Sequence, residues 1–178
     1  MMTDSTMSKS RYILFILFIS GFFLSNRAFA QDENNESDST NMHRQHMIHS
    51  MSPEVMPFKM DKVTHYFIKD STGGILMLKT KDPGDTTQAA LVQSHLYKEC
   101  SLFSNADFRD PRTLHGVEMP GLKTLSESKG EYKVEYEKLS DGAKLTFISQ
   151  NAEVINAIHL WFDAQLRDHG RDAKSRLD

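Results

Sequence analysis

The stretch that decides the fold is YKVEYEKLSDGAKLTFISQNAEVINAIHLWFDAQLRDHG, residues 132–170. It opens with the apolar–polar alternation of a half-buried strand, and the tripeptide SDG is a typical hairpin turn before the returning strand AKLTFIS. Asn151 then caps a helix over residues 152–168, which Gly170 terminates. The stretch therefore predicts a β-hairpin followed by an amphipathic helix.

The same order occurs upstream. THYFIK at 64–69 and ILMLKT at 75–80 are strand candidates joined by a glycine turn, and Asp85 caps a helix over residues 86–104. Apolar residues repeat along this helix at intervals of three and four, at Ala89, Val92, Leu96, Cys100 and Phe103. Both helices contain a His-Leu-aromatic triplet, at residues 95–97 and 159–161. Internal duplication would explain this similarity, and so would chance.

These elements predict an α+β fold of order β-β-α, long loop, β-β-α, with one antiparallel sheet and two helices on one face. The connection at 105–130 reads as an irregular loop that contains at most a short helical turn at 122–128. We expect a single domain over residues 58–170, followed by a polar C-terminal tail at 171–178.

The first thirty residues read as a cleavable secretory signal. Lys9 and Arg11 precede an apolar run at 12–24, and small residues at Ala28 and Ala30 fit a signal peptidase that cuts after Ala30. The apolar run is too short for a bilayer span, which needs about 20 residues. The sequence therefore predicts a periplasmic or secreted protein without a membrane anchor after cleavage.

Charge and cysteine content argue against nucleic-acid binding and against an internal disulfide. The net charge is −3 with neutral histidines, so the chain has no electrostatic reason to bind nucleic acid. The sequence has one cysteine, Cys100, which cannot form an internal disulfide; its place on the apolar helix stripe predicts a buried, inert thiol.

Residues 31–57 read as a disordered tail that is rich in methionine and histidine. QDENNESDSTN has almost nothing to bury, and five methionines and three histidines follow between Met42 and Met60. Thioether sulfur selects Cu(I) and imidazole binds copper or zinc, which favours metal binding. The alternative is a compositional bias that binds nothing specific.

Five residues are the candidate metal ligands: His95, His115, Met119, His159 and His169. His95 and His159 lie at the edges of the two apolar helix stripes, where they would face each other if the helices pack as neighbours. The loop HGVEMPG at 115–121 brings imidazole and thioether together. The competing readings are local hydrogen bonds for the two helix histidines, a core role for Met119 and a helix-dipole role for His169.

Known catalytic motifs are absent from the sequence. It contains no Cys-x-x-Cys-His, no His-Glu-x-x-His, no Gly-x-Ser-x-Gly and no glycine-rich phosphate loop. No serine or cysteine is marked as a nucleophile by its neighbours. A binding protein is therefore favoured over an enzyme.

Three stretches carry a resemblance to a known group of proteins: residues 58–67 (FKMDKVTHYF), 115–121 (HGVEMPG) and 159–170 (HLWFDAQLRDHG). They resemble a family of small, uncharacterised exported bacterial proteins, some of which carry the label aspartate carbamoyltransferase. Such an enzyme is a larger two-domain α/β protein with a Ser-Thr-Arg-Thr phosphate loop, which this chain lacks. The resemblance implies an exported domain without an established activity.

The leading expectation is an exported metal-binding protein, with copper preferred over zinc, for binding, buffering or delivery. The alternative is a small-molecule or haem-type binding module of the cell envelope. In that case the boundary histidines would contact an organic ligand, with Trp161, Phe162 and Tyr97 lining the site.

Overall fold

The computed structural model describes residues 39–177. The chain divides into two compact units, Met1–Met42 and His43–Asp178, and the whole sheet belongs to the second. The predicted signal at 1–30 and the acidic stretch at 31–38 lie outside the described residues. Within residues 39–177, no helix combines the length and the apolar content needed to span a bilayer.

Five strands form one sheet in the order β3-β4-β2-β1-β5. Their bounds are β1 Val63–Asp70, β2 Gly73–Thr80, β3 Tyr132–Leu139, β4 Gly142–Ser149 and β5 Ala173–Lys174. Both predicted hairpins are present and lie side by side, because β2 pairs with β4 in antiparallel register. The fold is therefore α+β, as the sequence predicts, with a parallel strand added at one edge.

The first hairpin depends on a glycine where it meets the second. Gly73 adopts a φ of +143°, and a Cβ atom at this position would lie 2.4 Å from the carbonyl oxygen of Phe147 on β4. A side chain here would push the two hairpins apart. Gly73 therefore allows the close pairing of β2 with β4.

The two long helices begin at the predicted caps. Helix α2 spans Thr86–Ser104, and the carboxylate of Asp85 accepts a hydrogen bond from the backbone N–H of Gln88 at 3.1 Å. The second, Ala152–His169, is α5 in chain order, and the side chain of Asn151 accepts from the N–H of Glu153 at 2.9 Å. Each cap satisfies a backbone donor that the first helical turn leaves free.

Each long helix packs mainly over the hairpin of the other half. Helix α2 lies on β3 and β4, whereas α5 lies on β1 and β2. Both cover the same face of the sheet, because alternate strand residues share one core with both helices. That core includes Phe67, Leu78, Leu145, Phe147, Val92, Leu96, Trp161 and Phe162.

The connection at 105–130 differs from the predicted irregular loop. It contains helix α3, Arg109–His115, and helix α4, Leu122–Glu127, of which only the second matches the expected helical turn. Pro111 is compatible with α3 because it lies in the first turn, where a backbone N–H has no partner within the helix. Gly121 then has a φ of +83°, and a Cβ there would lie 2.1 Å from the carbonyl oxygen of Ala157.

The N-terminal segment also differs from the prediction of disorder at 31–57. Helix α1 covers residues 39–51, and a 3₁₀ turn follows at Ser52–Glu54. Ile48 is 2 % exposed and packs with Met60 and Leu114, and Met51 and Met56 pack against this small cluster. Methionines that suggested metal ligands thus supply apolar contacts that hold this segment on the domain.

The C-terminal tail continues the fold beyond the predicted end at residue 170. Residues 173 and 174 form β5, which pairs in parallel with β1 at His65 and Tyr66. Asp172, 3 % exposed, lies 2.6 Å from Nζ of Lys81 and 3.1 Å from Nε2 of His49. A buried carboxylate with two basic neighbours therefore fixes a segment whose polar composition suggested a free tail.

Candidate functional site

A cavity of about 60 Å³ lies between the sheet, α2, α3, α5 and the segment that follows α1. Its walls are largely apolar and come from Val55, Met56, Phe67, Leu76, Leu78, Leu96, Phe103, Pro111, Leu114 and Trp161. Polar side chains also line it: His65, His95, Glu99, Asp110, His115, Gln165 and His169. We call this space the histidine cavity.

Four histidines from four different elements meet here. The rings of His65 on β1 and His169 at the end of α5 stack at a centroid distance of 4.5 Å, and His115 at the end of α3 lies 5.2 Å from His169. Phe58 separates His65 from His95, at 5.9 Å and 5.5 Å respectively. The fold thus gathers imidazoles that are far apart in sequence.

Three of these imidazoles are held in the neutral form. Burial lowers the pKa of His65 to about 3, with a further contribution from nearby His95. Burial likewise lowers the pKa of His95 to about 4, helped by the charge of Lys98. The pKa of His169 lies well below its ordinary value because the ring is buried beside other histidines. Each ring therefore offers one donor and one acceptor at neutral pH.

Several polar atoms of the lining residues have no hydrogen-bond partner of normal geometry within residues 39–177. They are Nδ1 and Nε2 of His65, both carboxyl oxygens of Glu99, Nε1 of Trp161, Oε1 of Gln165 and Nδ1 of His169. Buried polar atoms in native proteins are nearly always paired, so a cluster of exceptions calls for an explanation. Seven of the nine such atoms among residues 39–177 belong to side chains that line this cavity.

Glu99 enters the cavity as a neutral acid. Burial and the neighbouring carboxylate of Asp110 raise the pKa of Glu99 to about 8. Burial alone would raise the pKa of Asp110, but a hydrogen bond from Lys98 at 2.6 Å helps to lower it. The pair therefore carries one proton at neutral pH, and Glu99 holds it.

His115 belongs to a buried ion-paired group in the lining. Its Nδ1 donates to Oδ2 of Asp168 at 2.9 Å, since an ionised carboxylate can only accept. Arg44 of α1 donates to both oxygens of Asp168, at 2.6 and 2.7 Å, and to the carbonyl of His115 at 2.9 Å. Burial would raise the pKa of Asp168, but the bonds from His115 and Arg44 lower it.

The five predicted metal ligands lie in three different places. His95, His115 and His169 line the histidine cavity. Met119 is 5 % exposed and belongs to the apolar core. His159 lies at the β1–β2 turn, where its Nε2 is 3.0 Å from the carbonyl oxygen of Asp70 and 2.9 Å from that of Gly73. The expected seam between His95 and His159 is therefore not formed, because His159 is fixed to the hairpin turn.

Metal geometry is likewise not formed among the described residues. Across residues 39–177, no group of three or more histidine, cysteine or acidic side chains is arranged to hold a metal ion. Cys100 is half-buried, and its Sγ lies 3.6 Å from the carbonyl oxygen of Val134. It takes no part in the cavity lining.

Sequence reasoning missed Glu99, His65 and Gln165. Glu99 follows Leu96 by three residues and precedes Phe103 by four, so it occupies the apolar stripe of α2 in place of Cys100. Gln165 interrupts the stripe of α5 one turn after Trp161. A polar residue on an apolar stripe was the available signal. For His65, strand alternation left both faces open.

Comparison with known proteins does not add to this description. No protein-family model, no curated protein and no solved structure matches the chain. The function is therefore argued from the cavity itself.

Proposed function

We propose that the histidine cavity binds a small, uncharged organic ligand, and that the protein acts as a small-molecule-binding protein of the cell envelope. The observation that carries this is the cluster of unpaired polar atoms in an otherwise apolar cavity. Each unpaired buried group costs about 1–3 kcal/mol of stability. A ligand that pairs with these groups recovers part of that cost as binding energy.

The charge of the lining favours an uncharged ligand. His65, His95 and His169 are neutral because burial lowers the pKa of each ring. Glu99 is protonated at neutral pH, and its ionised neighbour Asp110 is paired with Lys98. Neither an anion nor a cation would find an uncompensated opposite charge, and each would lose its hydration on entry.

The size of the cavity limits the ligand. A water molecule needs about 10–15 Å³ on this measure, so about 60 Å³ holds about four to six waters. A ligand with a similar number of non-hydrogen atoms would fill it without any movement of the walls. Haem, which is many times larger, would require the helices to separate.

Copper or zinc binding by His95, His115, Met119, His159 and His169 is the competing hypothesis. The positions of Met119 in the core and His159 at a turn weigh against a site that includes all five. The neutral imidazoles of His65, His95 and His169 nevertheless line one cavity, and neutral imidazole is a good ligand for copper and zinc. Metal titration therefore belongs in the same experiment.

The test compares probes of similar size and different charge. Saturation-transfer NMR on the full chain from Gln31 would be recorded with butan-2-one and propanamide, beside butyrate and butylammonium. The proposal expects the neutral probes to bind and Leu78→Trp, which fills the cavity, to abolish the signal. Leu160→Trp, on the exposed face of α5, is the matched control. Binding of only the charged probes, or tight 1:1 Cu(I) or Zn(II) binding lost in His95→Gln, would overturn it.

The cell-envelope assignment rests on the predicted signal. Mass spectrometry of the protein from a fractionated bacterial host would give a periplasmic chain that begins at Gln31. A full-length chain in the cytosolic fraction would contradict export.

A further inference from the structure

We propose that the histidine cavity also catalyses proton transfer on a bound neutral carbonyl compound, with His115 as the base and Glu99 as the acid. This inference rests on the proposed binding function. It follows from two groups that line one apolar space: an imidazole oriented by a carboxylate, and a carboxyl group whose two oxygens have no hydrogen-bond partner within residues 39–177.

The base is His115, and its contact with Asp168 determines which ring nitrogen accepts the proton. Because Nδ1 donates to Asp168 at 2.9 Å, the neutral ring carries its free electron pair on Nε2. Arg44 holds both oxygens of Asp168, so this carboxylate stays ionised and keeps the ring in one orientation. The arrangement supplies a fixed proton acceptor and stabilises the imidazolium that forms when it accepts.

The acid is Glu99 of α2. It is 2 % exposed, and the ionised Asp110 beside it keeps the proton on Glu99. A carboxylic acid in such surroundings can donate a hydrogen bond to a carbonyl oxygen and release its proton as negative charge develops there. Its charged neighbours are the ionised carboxylate of Asp110 and Nζ of Lys98, which lies 3.7 Å from Oε1 of Glu99.

The remaining lining residues restrict the chemistry that the side chains supply. Among residues 39–177, no serine, threonine, cysteine, lysine or tyrosine lines the cavity, so these residues offer no hydroxyl, thiol or amine nucleophile for a covalent intermediate. Glu99 as the acid and His115 as the base, within largely apolar walls, suit enolisation. This reaction needs a proton removed from carbon and a proton delivered to oxygen, and no other co-reactant.

The step balances within the cavity. Nε2 of His115 takes a proton from the carbon next to the carbonyl, and the electron pair of that C–H bond forms the C=C bond of the enol. The π electrons of the carbonyl take the proton of Glu99, which becomes a carboxylate while His115 becomes an imidazolium. When His115 returns a proton to carbon, the O–H proton returns to Glu99, which restores the ketone and both side chains. Hydrogen is exchanged if the imidazolium has first swapped its proton with solvent, and is moved if the proton returns to another carbon.

The experiment measures binding and chemistry on the same sample. Butan-2-one in D₂O with the chain from Gln31 would be followed by proton NMR for loss of its α-hydrogens, and by saturation transfer for binding. We expect exchange above the buffer blank that falls at least 100-fold in His115→Gln, while binding changes less than twofold. His46→Gln, an exposed histidine of α1, is the matched control.

Glu99→Gln gives a second test that does not depend on the fate of His115. The amide matches the neutral acid in shape and cannot transfer its proton, so we expect a folded protein with reduced exchange. Wild-type exchange should fall above about pH 8, where Glu99 loses its proton, and this limb should be absent from the variant. The charged groups that act on Glu99 are Lys98 on α2 and Arg109 and Asp110 on α3, and His95 lines the same cavity; none is changed.

The outcomes separate the two proposals. Binding of butan-2-one without exchange overturns the catalytic inference and leaves the binding function in place. Exchange that His115→Gln and Glu99→Gln leave unchanged also overturns it. No binding of either neutral probe overturns both.

Discussion

The two ends of the core bury different kinds of side chain. At one end, five aromatic rings pack at centroid distances between 4.9 and 6.0 Å: Phe103, Phe108, Phe147, Trp161 and Phe162. At the other end, the same sheet face and the same two helices enclose the histidine cavity. Phe103 and Trp161 form the wall between the two ends.

The difference separates residues that stabilise the fold from residues that reduce its stability. Aromatic packing adds apolar burial and favourable ring contacts. Unpaired imidazole, carboxyl and amide groups lose their hydration and gain no protein partner in return. A protein keeps such groups together when they serve something other than folding.

The largest effect is expected at the aromatic end. Phe147→Ala removes a fully buried ring that contacts three others, and should lower the free energy of unfolding by about 3–5 kcal/mol. Denaturant unfolding measures the change, with Leu160→Ala on the exposed face of α5 as control. A loss below about 1 kcal/mol would mean that this end of the core is not close-packed.

The next largest effect concerns the ion-paired group that joins α1 to α5. Arg44→Gln leaves the carboxylate of Asp168, which is fully buried, with His115 as its remaining partner, and should cost about 2 kcal/mol. Residues 43–57 should lose amide protection before the sheet does, as hydrogen exchange would show. Arg167→Gln, an exposed arginine of α5, is the control. Equal protection in both variants would show that α1 is held by its apolar contacts alone.

Acid should destabilise the cavity end specifically. The pKa of His65 is about 3 when folded and about 6.5 when unfolded, so the unfolded chain binds the proton first as pH falls. The stability from the neutral ring is complete above pH 6.5 and is lost on the way down to pH 3. His65→Phe should reduce the loss between pH 7.5 and 5.5 by about 1 kcal/mol. Identical pH dependence of unfolding in the wild-type protein and in His65→Phe would refute the assignment.

The smallest effect has the opposite sign. Gln165→Leu removes an unpaired buried acceptor without leaving another one behind, so stability should rise by up to about 1 kcal/mol while neutral probes bind more weakly. Gln150→Leu, in an exposed loop, should change neither quantity. A clear destabilisation by Gln165→Leu would mean that the amide has a structural partner.

Local signals predicted the fold well. Strand alternation, the SDG turn and the caps at Asp85 and Asn151 each act over a few residues, so they can be read without tertiary context. The cavity depends instead on the pairing of β2 with β4 and on each helix crossing to the other hairpin. No local pattern encodes that arrangement, so His65 and Glu99 were missed.

Polar composition misled in the segments that flank the domain. The sequence predicts tails at 31–57 and 171–178, yet residues 39–57 and 171–174 are held to the domain by a few long-range contacts. Arg44 reaches Asp168 across the chain, and Asp172 reaches Lys81 and His49. Single ion pairs of this kind have no periodic signature in the sequence.

The short β5 strand has a consequence for association between chains. An uncovered strand edge can pair with another copy of the protein and begin a fibrous aggregate. At one edge of the sheet, β5 covers part of β1; at the other, β3 presents the exposed charges of Lys133, Glu135, Glu137 and Lys138. One edge of the sheet is thus protected by a paired strand and the other by charged side chains. A chain that stopped at Gly170 would keep only the protection by charged side chains.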